Sequence, residues 1–281
     1  MSQNSTGSNE IINATEAVEF FLEDHLRSRA SEIESLSPQL LKAMQYSLFS
    51  GGKRFRPTLA LTVSPKATAW AAAIEMIHTY SLIHDDLPCM DNDDERRGQP
   101  TNHKKFGEPL ALLAGDALLT ESFLLIAKAY AESPDIAQRL TSLLARSAGA
   151  SGMVGGQAMD MQLGQPLADI EAVVKVHTNK TAELIAAAIE GAAIVTGEPP
   201  ELCGKLRALG LNLGLCFQIK DDLLDGVQDQ TAKSLLFFMS EQKLTEFLSL
   251  KTQEGLVELE QLPSVFHGLR QFYQYNLTRI K

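Results

Sequence analysis

Ala182-Glu183-Leu184-Ile185-Ala186-Ala187-Ala188-Ile189-Glu190-Gly191-Ala192-Ala193 decides the fold class of this 281-residue chain. The stretch is alanine-rich and apolar nearly all the way round a helix, and such helices lie inside a bundle rather than on its surface. It sits within a longer run, 167–196, whose apolar residues recur at three- and four-residue spacing. The same period recurs at 14–29, 38–50, 67–84, 109–131, 135–149 and 200–224. Pro38 and Pro200 stand where a first helical turn tolerates proline, and Ser37 is positioned to cap the first. Alternating Val/Ile/Thr runs and Asn-Gly turns are missing. The expectation is an all-α fold. One large helical bundle over residues 11–281 should follow a polar lead, residues 1–10, expected to be disordered.

Charge and composition narrow the chemistry. With 44% hydrophobic and 21% charged residues, the chain can bury a large core. Its net charge of −10 argues against nucleic acid, whose phosphates need a basic face. An anionic ligand would require cations and a few well-placed Arg and Lys. Cys89, Cys203 and Cys216 show no CxxC spacing, so they read as reduced cytosolic thiols and the chain as cytoplasmic. MSQNSTGSNE at the start carries no apolar core of a signal peptide. Asp116, Glu121 and Glu190 interrupt the most apolar segments, so no membrane span is expected.

Two acidic clusters carry the chemistry. In Phe217-Gln218-Ile219-Lys220-Asp221-Asp222-Leu223-Leu224-Asp225, one helical face holds Gln218, Asp221 and Asp225, with Asp222 at its margin. Three like charges within one turn repel, and hard oxygen ligands of this kind suit Mg²⁺. The other cluster, Asp85-Asp86…Asp91, would point to different sides of a straight helix. Pro88 lets the backbone turn so that Asp91 can return toward Asp85. Asp93, Asp94 and Glu95 read as solvated surface, whereas Arg96-Arg97 offer forked donors for phosphate oxygens.

A basic complement surrounds these clusters. In GGKRFRP at 51–57 two glycines let the backbone approach a ligand, and Lys53 and Arg56 can clamp an anion. Taken alone, the segment serves equally as a helix C-cap with solvated basic side chains; beside the acidic clusters it reads as a diphosphate pocket. His78 shares a helix face with Asp85. Gln157, Asp160, Lys180 and Thr181 are polar groups in apolar helices, either structural or ligand-binding.

With these residues in place, the chain resembles the trans-isoprenyl diphosphate synthases, most of all the bacterial farnesyl diphosphate synthases. The matching segments run in family order: GGKRFRP at 51–57, AIEMIHTYSLIHDDLPCMDNDDERRG at 73–98, GDALLTESF at 115–123, GGQAMDM at 155–161, HTNKTAELI at 177–185 and FQIKDDLLD at 217–225. The resemblance implies an all-α homodimer with a deep cavity between helices. It further implies Mg²⁺-assisted condensation of isopentenyl diphosphate with dimethylallyl or geranyl diphosphate, using three Mg²⁺ ions, with Mn²⁺ as an alternative. By matching position, Asp85, Asp91 and Asp221 would hold the metal, supported by Asp86, Asp222 and Asp225. Arg96, Lys180, Thr181 and Gln218 would hold the allylic diphosphate; Lys53, Arg56, His78 and Arg97 would hold isopentenyl diphosphate. Catalysis itself would rest on Asp85, Asp91, Arg96, Lys180 and Asp221.

Tyr80 lies five residues before Asp85, about 7 Å along a helix. A bulky residue at that level limits tail length in the family, so Tyr80 with Ser81 implies a fifteen-carbon product. Geranyl and geranylgeranyl diphosphate are the alternative products. A non-catalytic partner subunit would tend to lose its aspartate clusters, and a terpene cyclase would not need GGKRFRP with Arg97. Three departures from the family pattern stand out: a short segment between Val63 and Trp70, a short basic loop after Asp225 that leaves Lys233 unassigned, and Ala182 after Lys180-Thr181.

Overall fold

The structure is a computed structural model describing residues 4–161, 169–226 and 233–280. Apart from one two-residue hairpin, its regular elements among these residues are helices. They form two compact units, one of residues up to 61 with 66–141, the other of 62–65 with the chain from 142 onward.

In the first unit, α1 (Asn4–Leu36), α2 (Pro38–Leu48), α3 (Phe55–Val63), α4 (Thr68–Asp85), α5 (Asn102–Phe106) and α6 (Glu108–Ala129) follow the expected helical periods, with α3 and α5 added. Ser37 caps α2 as expected, accepting from the Leu40 amide at 3.3 Å. The backbone is helical from Asn4, through most of the stretch expected to be a disordered lead; no proline interrupts it before Pro38. The short segment after Val63 closes as a 3-10 turn, Pro65–Ala67. Helix α4 is buried almost all round and lies along α6, α1 and α2. Among the described residues α6 is the one helix long and apolar enough to cross a membrane. Its Glu121, however, is buried, hydrogen-bonded with His25 at 3.1 Å and ion-paired with Arg29 at 3.3 Å, which ties the helix to α1 as a core element.

The second unit contains α8 (Met153–Met161), α9 (Ile170–His177), α10 (Glu183–Val195), α11 (Pro200–Asp225), α12 (Glu241–Glu260) and α13 (Arg270–Thr278), while α7 (Pro134–Ala148) runs into it. The opening stretch is buried as expected, with Leu184 to Ile189 all in the core. It lies against α11 at close range: a Cβ on Gly210 would sit 2.6 Å from Ala186 Cα. The 170–195 run is continuous but not uniformly α, because Thr178–Ala182 forms a π turn. Helix α12 was not anticipated, although Leu244 and Leu248 four apart and the Ser240 cap were visible signals.

Candidate active site

Helix α4 ends at Asp85, and the chain then folds back on itself. Leu87 donates to the His84 carbonyl, Met90 and Asn92 donate to that of Leu87, and the Asp91 amide reaches the Asp85 carbonyl at 2.9 Å. The turn at Pro88 thus brings Asp91 to Asp85 as the proline suggested. Asp85 is half-buried and Asp91 exposed. Asp86 points inward instead, 3% exposed, and accepts from Arg96 Nε at 2.7 Å. Burial raises the Asp86 carboxyl above its ordinary range, and Arg96 opposes that rise. Asp93, Asp94 and Glu95 are exposed, with Asp93 3.3 Å from Arg96 and Asp94 2.6 Å from Lys104.

The two arginines that follow are carried by a miniature hairpin, β1 (Glu95–Arg96) and β2 (Gln99–Pro100), which the sequence reading did not anticipate. Its two central residues, Arg97 and Gly98, have φ of 56° and 73°, as a two-residue hairpin of this twist requires. Arg97 is thereby aimed at the loop after α2. It donates to the Gly51 carbonyl and, at 3.4 Å, to Ser50 Oγ. Gly52 makes room for it: a Cβ there would lie 2.6 Å from Arg97 Cζ. On the same loop Lys53 is exposed and Arg56 half-buried. Arg54, passed over in the sequence, is buried against Glu75 and the Leu48 carbonyl, each at 2.6 Å, so it braces the loop.

His78 is set among these cations. Burial, then the charges of Arg56, Arg97, Arg96 and Arg54, hold its imidazole well below the ordinary range. The result is a neutral hydrogen-bonding ring amid positive charge, a suitable seat for an anion. Tyr80 is buried and edge-on to His84 at 5.7 Å. Burial and the Asp85 charge push its phenol up to about 12, so it keeps its proton. Ser81 donates to the His78 carbonyl at 2.9 Å.

In the second unit, the end of α11 carries the other cluster. Asp221 accepts from Gln218 Nε2 at 2.8 Å and is 2.7 Å from Arg279 Nη1. Asp222 is buried and accepts from His177 Nε2 at 3.1 Å and the Leu235 amide at 2.7 Å. Asp225 is exposed at the helix end. Burial raises the Asp221 carboxyl above its ordinary range, opposed by Arg279. The π turn carries Lys180 and Thr181; such bulges inside helices often occur at functional sites. Lys180 donates to Asp160 at 2.6 Å, and Lys233 lies 3.3 Å from the same carboxylate. Gly156 of α8 admits this turn, since a Cβ there would sit 2.2 Å from the Lys180 nitrogen. A cavity of about 170 Å³ opens among Asp160, His177, Lys180, Gln218, Asp225 and Lys233. Residues 227–232 of the short loop after Asp225 fall outside the described residues.

His177, Arg279 and the braces at Arg54 and Gly156 were missed by sequence reasoning. Their partners are 45 and 58 residues away for the first two, and no local spacing reports such a meeting. Among the described residues no three His, Cys, Asp or Glu side chains form a ready-made metal cage. Mg²⁺ is ordinarily bound through one or two carboxylates together with substrate phosphates. The carboxylates of Asp85 and Asp91, and of Asp221 and Asp225, fit that shared mode.

The family model described as polyprenyl synthetase matches residues 37–254. The chain is 44% identical over 227 residues to farnesyl diphosphate synthase of Bacillus subtilis (strain 168), covering 77% of this chain and 76% of that protein. It is 46% identical over 194 residues to geranylgeranyl pyrophosphate synthase 7, chloroplastic, of Arabidopsis thaliana, covering 66% and 56%. Among solved structures, geranyltransferase from Helicobacter pylori complexed with magnesium and isoprenyl diphosphate aligns with a TM-score of 0.82 at 34% identity, covering 99% of this chain and 98% of that one.

Proposed function

The chain belongs to the polyprenyl synthetase family, and from that premise we propose that it condenses isopentenyl diphosphate with dimethylallyl and then geranyl diphosphate to give farnesyl diphosphate. The observation that carries this reading is the first unit's pairing of opposites. An acidic turn, Asp85 to Asp91, sits on the same helix as a neutral His78 ringed by arginines. The arginine-ringed pocket suits the diphosphate of isopentenyl diphosphate, bound by Lys53, Arg56, His78 and Arg97. Arg96, Lys180, Thr181 and Gln218 hold the allylic diphosphate.

Ionisation breaks the allylic C–O bond, leaving diphosphate and an allylic cation. Arg96, oriented by Asp86, and Lys180 stabilise charge on the leaving oxygens because they are fixed before that charge develops. Bound Mg²⁺, held by Asp85, Asp91 and Asp221 with Asp86, Asp222 and Asp225 in support, would supply Lewis-acid neutralisation of the diphosphate. The isopentenyl double bond then attacks the cation, and a proton passes to an acceptor such as the departing diphosphate. Holding both substrates in one orientation removes much of the entropic barrier. No protein nucleophile is required, so the exposed Cys89 is a bystander.

We take the chain as a single catalytic domain over residues 11–281, cytoplasmic and homodimeric, with three Mg²⁺ ions or, in their place, Mn²⁺. Similarity to the Arabidopsis enzyme supports a second reading, a geranylgeranyl product; the bulk of Tyr80 favours fifteen carbons. Incubation with isopentenyl diphosphate and each allylic starter, with and without Mg²⁺, should yield a fifteen-carbon product only with the metal. Absence of product from every starter would undo the assignment. Sedimentation at twice the chain mass is expected.

A further inference from the structure

Three carboxylates, Asp221, Asp222 and Asp225, crowd the end of α11, and part of their mutual repulsion is offset from within the chain. Both oxygens of Asp221 are already engaged, Oδ2 by Gln218 at 2.8 Å and Oδ1 by Arg279 at 2.7 Å. Arg279 is no loose surface cation. It is 7% exposed and donates from Nε to Asn276 Oδ1 at 2.9 Å and from Nη2 to the Phe217 carbonyl at 2.6 Å. Its guanidinium also stacks on the Phe217 ring at 3.9 Å. The residue lies just past the end of α13, where the backbone has left the helix and become extended. Its backbone N–H donates to the Tyr275 carbonyl at 2.9 Å.

We propose that Arg279 is the resident counter-ion of the second acidic cluster, holding Asp221 while no divalent cation is bound and yielding it when one arrives. The role requires that Asp221 bind metal, as proposed above. A cation seeking Asp221 must displace the guanidinium from Oδ1, so the chain alone binds metal weakly at this cluster. A diphosphate bringing its own oxygens restores the balance, which favours joint arrival of metal and substrate over metal alone. Positions beyond the helix end suit such a release, because the side chain can swing away without breaking the α13 ladder.

The test is titration with Mn²⁺ in the absence of any diphosphate, followed by electron paramagnetic resonance of the free ion, with circular dichroism to verify folding. Arg279→Gln removes one positive charge beside the cluster and is expected to tighten Mn²⁺ binding about tenfold or more. The gain should vanish in Arg279→Gln/Asp221→Asn. Arg279→Lys, the fallback should the glutamine variant not fold, keeps the charge but loses the fork and should fall between parent and Arg279→Gln. Equal or weaker Mn²⁺ affinity in folded Arg279→Gln, or parental affinity in Arg279→Lys, overturns the counter-ion role. If that happens while Asp221→Asn still loses a Mn²⁺ site, the metal reading of Asp221 stands alone. Should Asp221→Asn bind Mn²⁺ as the parent does, both fall together.

Discussion

Arg96 and Arg97 are adjacent in sequence yet serve different partners. Arg96 turns to Asp86, whereas Arg97 reaches the glycine loop after α2, and the tight turn at Arg97-Gly98 separates them. Asp86 therefore orients a cation, and its loss should be felt in folding as well as in turnover. Asp86→Asn weakens a buried charge-assisted hydrogen bond and is expected to lower unfolding free energy by ~1.5–3 kcal/mol in urea titration. Retention of parental stability would mean that Arg96 finds another acceptor. Tyr80 makes the second prediction at this scale. If its buried ring is the floor for the growing tail, Tyr80→Ala should yield products longer than farnesyl diphosphate on chromatographic sizing. An unchanged product distribution would remove it from that role.

At the scale of elements, close backbone approaches position the site. The π turn can hold Lys180 toward Asp160 only because α8 presents Gly156 to it. Gly156→Ala drives a methyl group into backbone, where no side-chain rotation can relieve the clash. Expected are a loss of about 1–3 kcal/mol of stability and a lower kcat from displaced Lys180. A variant with parental melting temperature and kcat would show that α8 yields easily. The helices themselves were legible beforehand, including Ser37 at its cap and the buried run after Ala182. The bulge was not, because a π turn differs from an α turn by one residue of hydrogen-bond register and leaves the apolar period almost untouched. Nor was the hairpin, whose two-residue strands are too short to show alternation.

For the molecule as a whole, the arginines gathered around His78 bear on stability against pH. His78 is held well below its ordinary value in the folded chain, while the unfolded chain titrates near ~6.5. On acidification the unfolded state therefore takes up this proton first, and stability falls as pH drops below ~6.5. Above that pH the contribution is constant. His78→Gln should flatten this part of the stability curve between about pH 6.5 and 5, measured by denaturant titration at each pH. An identical acid slope in the variant would mean that His78 protonates as readily folded as unfolded. The all-α class, the return of Asp91 at Pro88 and the shared face of Asp221 and Asp225 were determined by sequence alone. Each depends on groups within a few residues, linked by helical hydrogen bonds, proline geometry and the 3.6-residue period. Only tertiary structure decided which polar side chain meets which: Arg279 with Asp221, His177 with Asp222, Arg54 with Glu75. Those pairs join residues 21 to 58 positions apart, and their meeting is fixed by how helices bury their apolar faces rather than by any local spacing.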